Sequence, residues 1–170
     1  MDESWRYTAK SITKYNPIYR NENGHFKKEE WVGFFQIGQT FNTEKLTFES
    51  YLITEEKYTH AALLFFEFNE CKRLYLRNVE KTAFPEYDYQ DKDELFIAFE
   101  KITDACSASI RDLQIIVKLI LREIIWAELI CCDNENTALR FGYDLYMYVN
   151  SEKNMDDLFL KIKNIGLFVE

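Results

Sequence analysis

Histidine is nearly absent from this chain: only His25 and His60 occur among 170 residues. A zinc site needs three or four ligands at short, convergent spacing, and CxxC, HExxH and HxxxH are all missing. There is no GxSxG elbow, no Walker loop and no GxGxxG, so serine nucleophiles and phosphate cradles lack their usual signatures. No metal or cofactor is expected. Glycine (five) and proline (two) are scarce, which leaves little room for long flexible loops. With no Gly/Ser linker and no internal repeat, residues 1–170 read as one domain. The longest apolar run, LQIIVKLILREIIWAELICC, is cut by Lys118, Arg122, Glu123 and Glu128 and reads as buried structure rather than a membrane span. The opening MDESWRYTAK starts acidic and has no apolar h-region, unlike a secretory signal. Cys71, Cys106, Cys131 and Cys132 lie inside apolar patterns. The adjacent pair cannot readily serve one disulfide framework, so reduced, buried thiols in a cytoplasmic protein are expected. Cys132 beside Asp133 sits in an acidic setting that disfavours a reactive thiolate.

What the chain has in quantity is aromatic rings and negative charge. Aromatics make up 16% of residues and the net charge is −8, a balance that phosphates repel, so direct nucleic-acid binding is not expected. The charge is uneven. Residues 1–31 carry six basic and five acidic side chains, a net of +1; residues 80–94 carry six acidic and two basic, a net of −4. Half the excess charge therefore lies in fifteen residues, around AFPEYDYQDKDE (83–94). Two readings of that stretch stand side by side. In one it is a solvated connector whose rings fold back onto the core. In the other it is a contact surface, with Phe84, Tyr87 and Tyr89 as stiff anchors and Glu86, Asp88, Asp91, Asp93 and Glu94 accepting bonds from a cationic partner. Such a field steers basic proteins towards it.

Hydrophobic periodicity predicts the following elements. SWRYTAKSI (4–12) reads as a strand, and EEWVGFFQIGQTF (29–41) as an ordered, aromatic-packed loop broken by Gly33 and Gly38. Thr47 is placed to cap a helix running to about Asn69. RLYLRNV (73–79) and ELFIAFEKI (94–102) read as strands. Ser109 with Asp112 is a capping-box start for a helix through Ile124, with Arg111, Lys118 and Arg122 on its polar side. WAELICC, the turn DNEN and TALRFGYDLYMYV (137–149) predict a hairpin whose second strand runs unbroken. Asn154 is placed to cap a last helix that stops at Gly166, and LFVE returns as an edge strand. The expected class is α/β (α+β): a mixed central sheet with about three helices packed on it.

Paired carboxylates are common (Glu29/Glu30, Glu55/Glu56, Asp93/Glu94, Asp156/Asp157). Acid–base work, however, needs two carboxylates held in different environments within a cleft. In the strand reading of YDLYMY, Asp144 shares a face with Arg140, Tyr146 and Tyr148. That set is either an Arg140–Asp144 ion pair, a second tyrosine-rich contact face, or a site for a small hydrolase using Asp144 with His60 or Glu128.

KYNPIYRNENGHFKKEEW, IGQTF and LTFESYL resemble the N-terminal half of bacterial immunity proteins found beside polymorphic toxins, including contact-dependent growth-inhibition systems. LREIIWAELI, FGYDLYMYV and GLFVE resemble their C-terminal half. The resemblance covers about 60% of the chain and leaves residues 80–106 unmatched. It implies a non-enzymatic cytoplasmic protein that binds the C-terminal domain of a cognate toxin. The toxin it points to is a basic nuclease, for example an RNase acting on tRNA. A nucleic-acid mimic that inhibits another enzyme is the alternative among binding proteins.

Overall fold

A computed structural model describes residues 9–86 and 89–170. Its strands are β1 (Lys10–Thr13), β2 (Thr40–Phe41), β3 (Glu44–Lys45), β4 (Arg73–Lys81), β5 (Ser107–Ser109), β6 (Ile125–Cys131), β7 (Asn134–Phe141), β8 (Met147–Asn150) and β9 (Phe168–Val169). Its helices are α1 (Phe48–Phe68), α2 (Lys92–Lys101), α3 (Leu113–Leu121) and α4 (Asp156–Asn164). Seven strands form one sheet in the order β5-β4-β6-β7-β8-β1-β9, and β2 and β3 make a separate two-stranded ribbon. Each pairing in the large sheet is antiparallel. The fold is therefore α+β, with four helices sharing the sheet's core. Residues 1–8, which hold most of the strand expected at 4–12, lie outside the described residues.

The register explains the core. Leu76 pairs with Leu129, Leu129 with Leu139, Leu139 with Val149, and Met147 with both Phe141 and Ile12. Period-2 alternation thus puts a continuous apolar row on one face. Tyr58, Ala62 and Phe65 of α1, Leu95 and Phe99 of α2, Ile116 and Val117 of α3, and Leu158 and Ile162 of α4 join the same cluster. Thr47 and Ser50 form the reciprocal capping box that starts α1, as the sequence suggests, and Asn154 Oδ1 accepts the Asp156 N–H at the start of α4.

Two expectations fail, each for a local reason. The stretch 94–102 is a helix, α2. Leu95 and Phe99 are buried one turn apart, Asp93 and Glu94 meet the positive N-terminal dipole, and Lys101 meets the negative end. A short apolar run does not distinguish the two periods. The strand expected at 137–149 turns back on itself. Asp144 (φ 56°) and Leu145 (φ 58°) are both left-handed, and the Tyr146 N–H reaches the Tyr143 carbonyl at 3.2 Å, the geometry of a type I′ hairpin turn. Leu145 is buried there, and its carbonyl accepts the Tyr58 hydroxyl.

Three helices close alike. The Cys71, Ile124 and Leu167 N–H groups reach back to the Phe66, Leu119 and Ile162 carbonyls, around left-handed Glu70, Glu123 and Gly166. This Schellman closure ends α3 at Leu121 rather than Ile124. It turns Arg122 inward and Glu123 outward.

Candidate functional site

The acidic stretch divides between interior and surface. Phe84 is half-buried, its ring 5.2 Å from Phe96 and 5.3 Å from Phe99. Tyr89 stacks on Phe48 at 3.7 Å, with the planes 9° apart, and meets Phe34 edge-on at 5.9 Å. Both rings pack within the fold, as the connector reading has it, instead of standing out as anchors. Tyr87 and Asp88 lie outside the described residues. Glu86, Asp93 and Glu94 are exposed.

Asp91 belongs to an interior ion cluster. Arg122, whose side chain is fully buried, donates from Nε and Nη2 to Glu55 Oε2 and Oε1 at 2.7 and 2.8 Å. It also donates from Nη1 and Nη2 to Asp91 Oδ1 and Oδ2 at 2.9 and 2.8 Å. Two bidentate carboxylates thus bracket one guanidinium, which lies over Phe34 and Phe48 at 5.7 and 5.6 Å. Lys118 Nζ adds a bond to Asp91 at 3.2 Å. Burial alone would raise the Asp91 pKa, but Arg122 and Lys118 pull it below the usual carboxylate value. Arg122, expected on a polar helix face, is the pivot that fastens 89–91 to α1 and α3, and Asp91 is not available to a partner.

The outward side of α2 sets exposed charge beside exposed apolar surface. At about 100° per residue, Phe96, Glu100, Asp93, Ile97, Lys101 and Glu94 fall in one arc of about 160°. All are exposed, Phe96 at 45% and Ile97 at 55%. The arc holds three carboxylates, one ammonium and two large apolar side chains.

The second predicted face is rearranged. Arg140 pairs across strands with Tyr148, its guanidinium 5.1 Å from that ring, and Tyr148 stacks towards Tyr146 at 6.3 Å. The Tyr146 hydroxyl accepts from Arg20 Nη2 at 2.6 Å, and Arg20 also holds Glu170. Asp144 is carried by the β7–β8 turn, on left-handed backbone. The hydrolase set does not converge: Asp144 lines one cavity and His60 another, while Glu128 is buried against Arg77 at 2.6 Å. All four cysteines are free; Cys71 and Cys131 are buried, Cys106 is half-buried, and Cys132, against expectation, is exposed. Burial pushes the Cys71 thiol up, away from the reactive thiolate.

One site escapes sequence reasoning altogether. A cleft of about 470 Å³ opens where the ends of β4, β6 and β7 meet, and its walls include Phe35, Trp126 and Tyr143. Tyr143 is 89% exposed and Phe35 63%, and the Trp126 and Tyr143 rings are 6.5 Å apart. Glu80, Glu123 and Asp144 supply three carboxylates, and Lys81 is the one basic lining residue among the described residues. Two of these acids stand on left-handed backbone, Glu123 at the end of α3 and Asp144 in the turn. Thr82 secures the rim, its hydroxyl donating to the Glu123 and Ile124 carbonyls at 3.2 and 3.0 Å.

Compared with protein-family models, curated proteins and solved structures, the chain matches none. Among the described residues no helix is long and apolar enough to cross a membrane.

Proposed function

We propose that this chain is an immunity protein, which binds the C-terminal domain of a cognate bacterial toxin in the cytoplasm and neutralises it. The toxin domain is a basic nuclease. The observation that carries this reading is the outward arc of α2. Exposed Phe96 and Ile97 offer the apolar centre of a contact, Asp93, Glu94 and Glu100 flank it on the same arc, and Glu86 adds a further exposed carboxylate in the preceding segment. A groove that must hold phosphates is cationic, and an acidic surface both complements it and speeds encounter. The sequence resemblance points the same way, and the segment it leaves unmatched, 80–106, contains this arc.

The test is coexpression with the toxin domain encoded beside this chain, scored by rescue of growth and by affinity in the purified complex. Reversal of Glu86, Asp93 and Glu94 to Lys should lower the association rate at least tenfold at low salt and abolish rescue, while the fold loses only the contribution of the two carboxylates at the start of α2, roughly 0.3–1 kcal/mol each. No complex with that domain, or full rescue by the triple variant, would overturn the assignment.

A further inference from the structure

The fold repeats one arrangement for holding its own cations. Arg122 lies over Phe34 and Phe48 and is bonded to Glu55 and Asp91. Lys14 lies 4.0 Å over the Trp31 ring and pairs with Glu30 at 3.0 Å. Arg20 lies 5.8 Å from the Tyr146 ring centre and pairs with Glu170 at 2.7 Å. In each, one cation has an aromatic face and a carboxylate together.

The cleft at Trp126 has the same rings and carboxylates with the cation missing. Among the described residues, no ion pair or hydrogen bond engages the side-chain carboxylates of Glu80, Glu123 or Asp144. Lys81, the basic residue in the wall, sends its ammonium 4.4 Å over the Phe99 ring instead. The lining charge is three negative against one positive. Gly33 has no Cβ to block the approach of the Glu123 carboxylate; a Cβ there would lie 2.5 Å from Oε1. Partial burial also pushes the Glu123 carboxyl above its usual value, a cost that a neighbouring cation would relieve.

We propose that this cleft is a receptor for an arginine side chain presented by a protein partner, with the guanidinium held between Trp126 and Tyr143 and bonded by Asp144 and Glu123. The two ring centroids are 6.5 Å apart with their planes tilted by 34°, close enough for one cation in the cleft to come within the roughly 6 Å reach of a cation–π contact with both. A planar guanidinium stacks on such rings and donates to two carboxylates at once, which an ammonium cannot match. The cleft volume is ample for one such side chain. Lys81 both lines the cleft and touches Phe99 of α2. The cleft's chemistry stands whether or not the partner is a toxin.

The experiment is a titration of the isotope-labelled full chain with N-acetyl-arginine methylamide, its citrulline counterpart and its lysine counterpart, following the Trp126 indole resonance (assigned with Trp126→Phe) and Tyr143. The arginine compound should shift both with millimolar affinity that weakens as salt rises. The neutral citrulline compound should bind at least tenfold more weakly, and the lysine compound measurably more weakly. Tyr143→Ala and Asp144→Asn, both at exposed positions, should each weaken arginine binding threefold or more while the melting temperature holds. Absence of shifts at Trp126 and Tyr143, equal binding of citrulline, or lysine binding as tightly as arginine would overturn the proposal. Loss of toxin binding with the arginine titration intact would count against the immunity assignment alone.

Discussion

Replacing Arg122 by Ala should be the most damaging single change in the ion cluster. The substitution leaves Glu55, whose side chain is 2% exposed, as a buried carboxylate without its guanidinium. It also removes the pivot that ties Asp91 and Tyr89 to α1. Breaking a buried pair in this way costs about 3–5 kcal/mol, against a total stability of roughly 5–15 kcal/mol for a domain. For a chain of this size that is a fall of roughly 6–20 °C in Tm. Urea unfolding followed by circular dichroism should show a lower midpoint with an unchanged slope, the signature of lost stability rather than altered compactness. The cost lies in the stranded charge, so pairing Arg122→Met with Glu55→Leu should recover most of it. A loss under about 1 kcal/mol for the alanine variant, or a double variant no better than the single one, would refute the reasoning. The same logic separates neighbours in the acidic stretch: Asp91→Lys should unfold the protein, while Asp93→Lys should cost only about 1 kcal/mol, the loss of its contact with the α2 dipole.

Three further outcomes are expected. The folded pKa of Asp91 lies below its unfolded value, so its contribution is present above about pH 4 and is lost as pH falls through the folded value; a melting-temperature profile against pH should flatten in Asp91→Asn. Tyr58→Phe leaves the Lys14 N–H and the Leu145 carbonyl, both bonded to that hydroxyl, without it. This should cost about 1–3 kcal/mol by urea titration. Thr47→Ala removes half of the capping box at α1 and should cost about 1 kcal/mol, read as faster amide exchange in the first turn.

The parts of the fold written in local chemistry were legible. Thr47 and Ser109 announce helix starts through a side-chain oxygen, and Gly166 announces a stop through its tolerance of positive φ. The parts decided by tertiary contacts were not. Glu70 and Glu123 stand where glycine is customary, and Asp144-Leu145 replaces the Asn-Gly expected of a tight hairpin. What holds Leu145 in place is its burial and the Tyr58 hydroxyl, 87 residues away. The same remoteness hid the fate of the acidic stretch. Asp91 and Asp93 look alike in sequence, yet Arg122 draws one inward and leaves the other in water. The cleft was out of reach because its walls come from four separate segments, and nothing in DLYMY or NVEKT marks them as neighbours.

The strand order has a consequence for how any partner can attach. The two outermost strands, β5 and β9, have three and two residues, and such stubs expose too few unpaired main-chain groups to template another chain. Along these two rims, zipping on an extra strand is thereby discouraged, as is runaway stacking of copies.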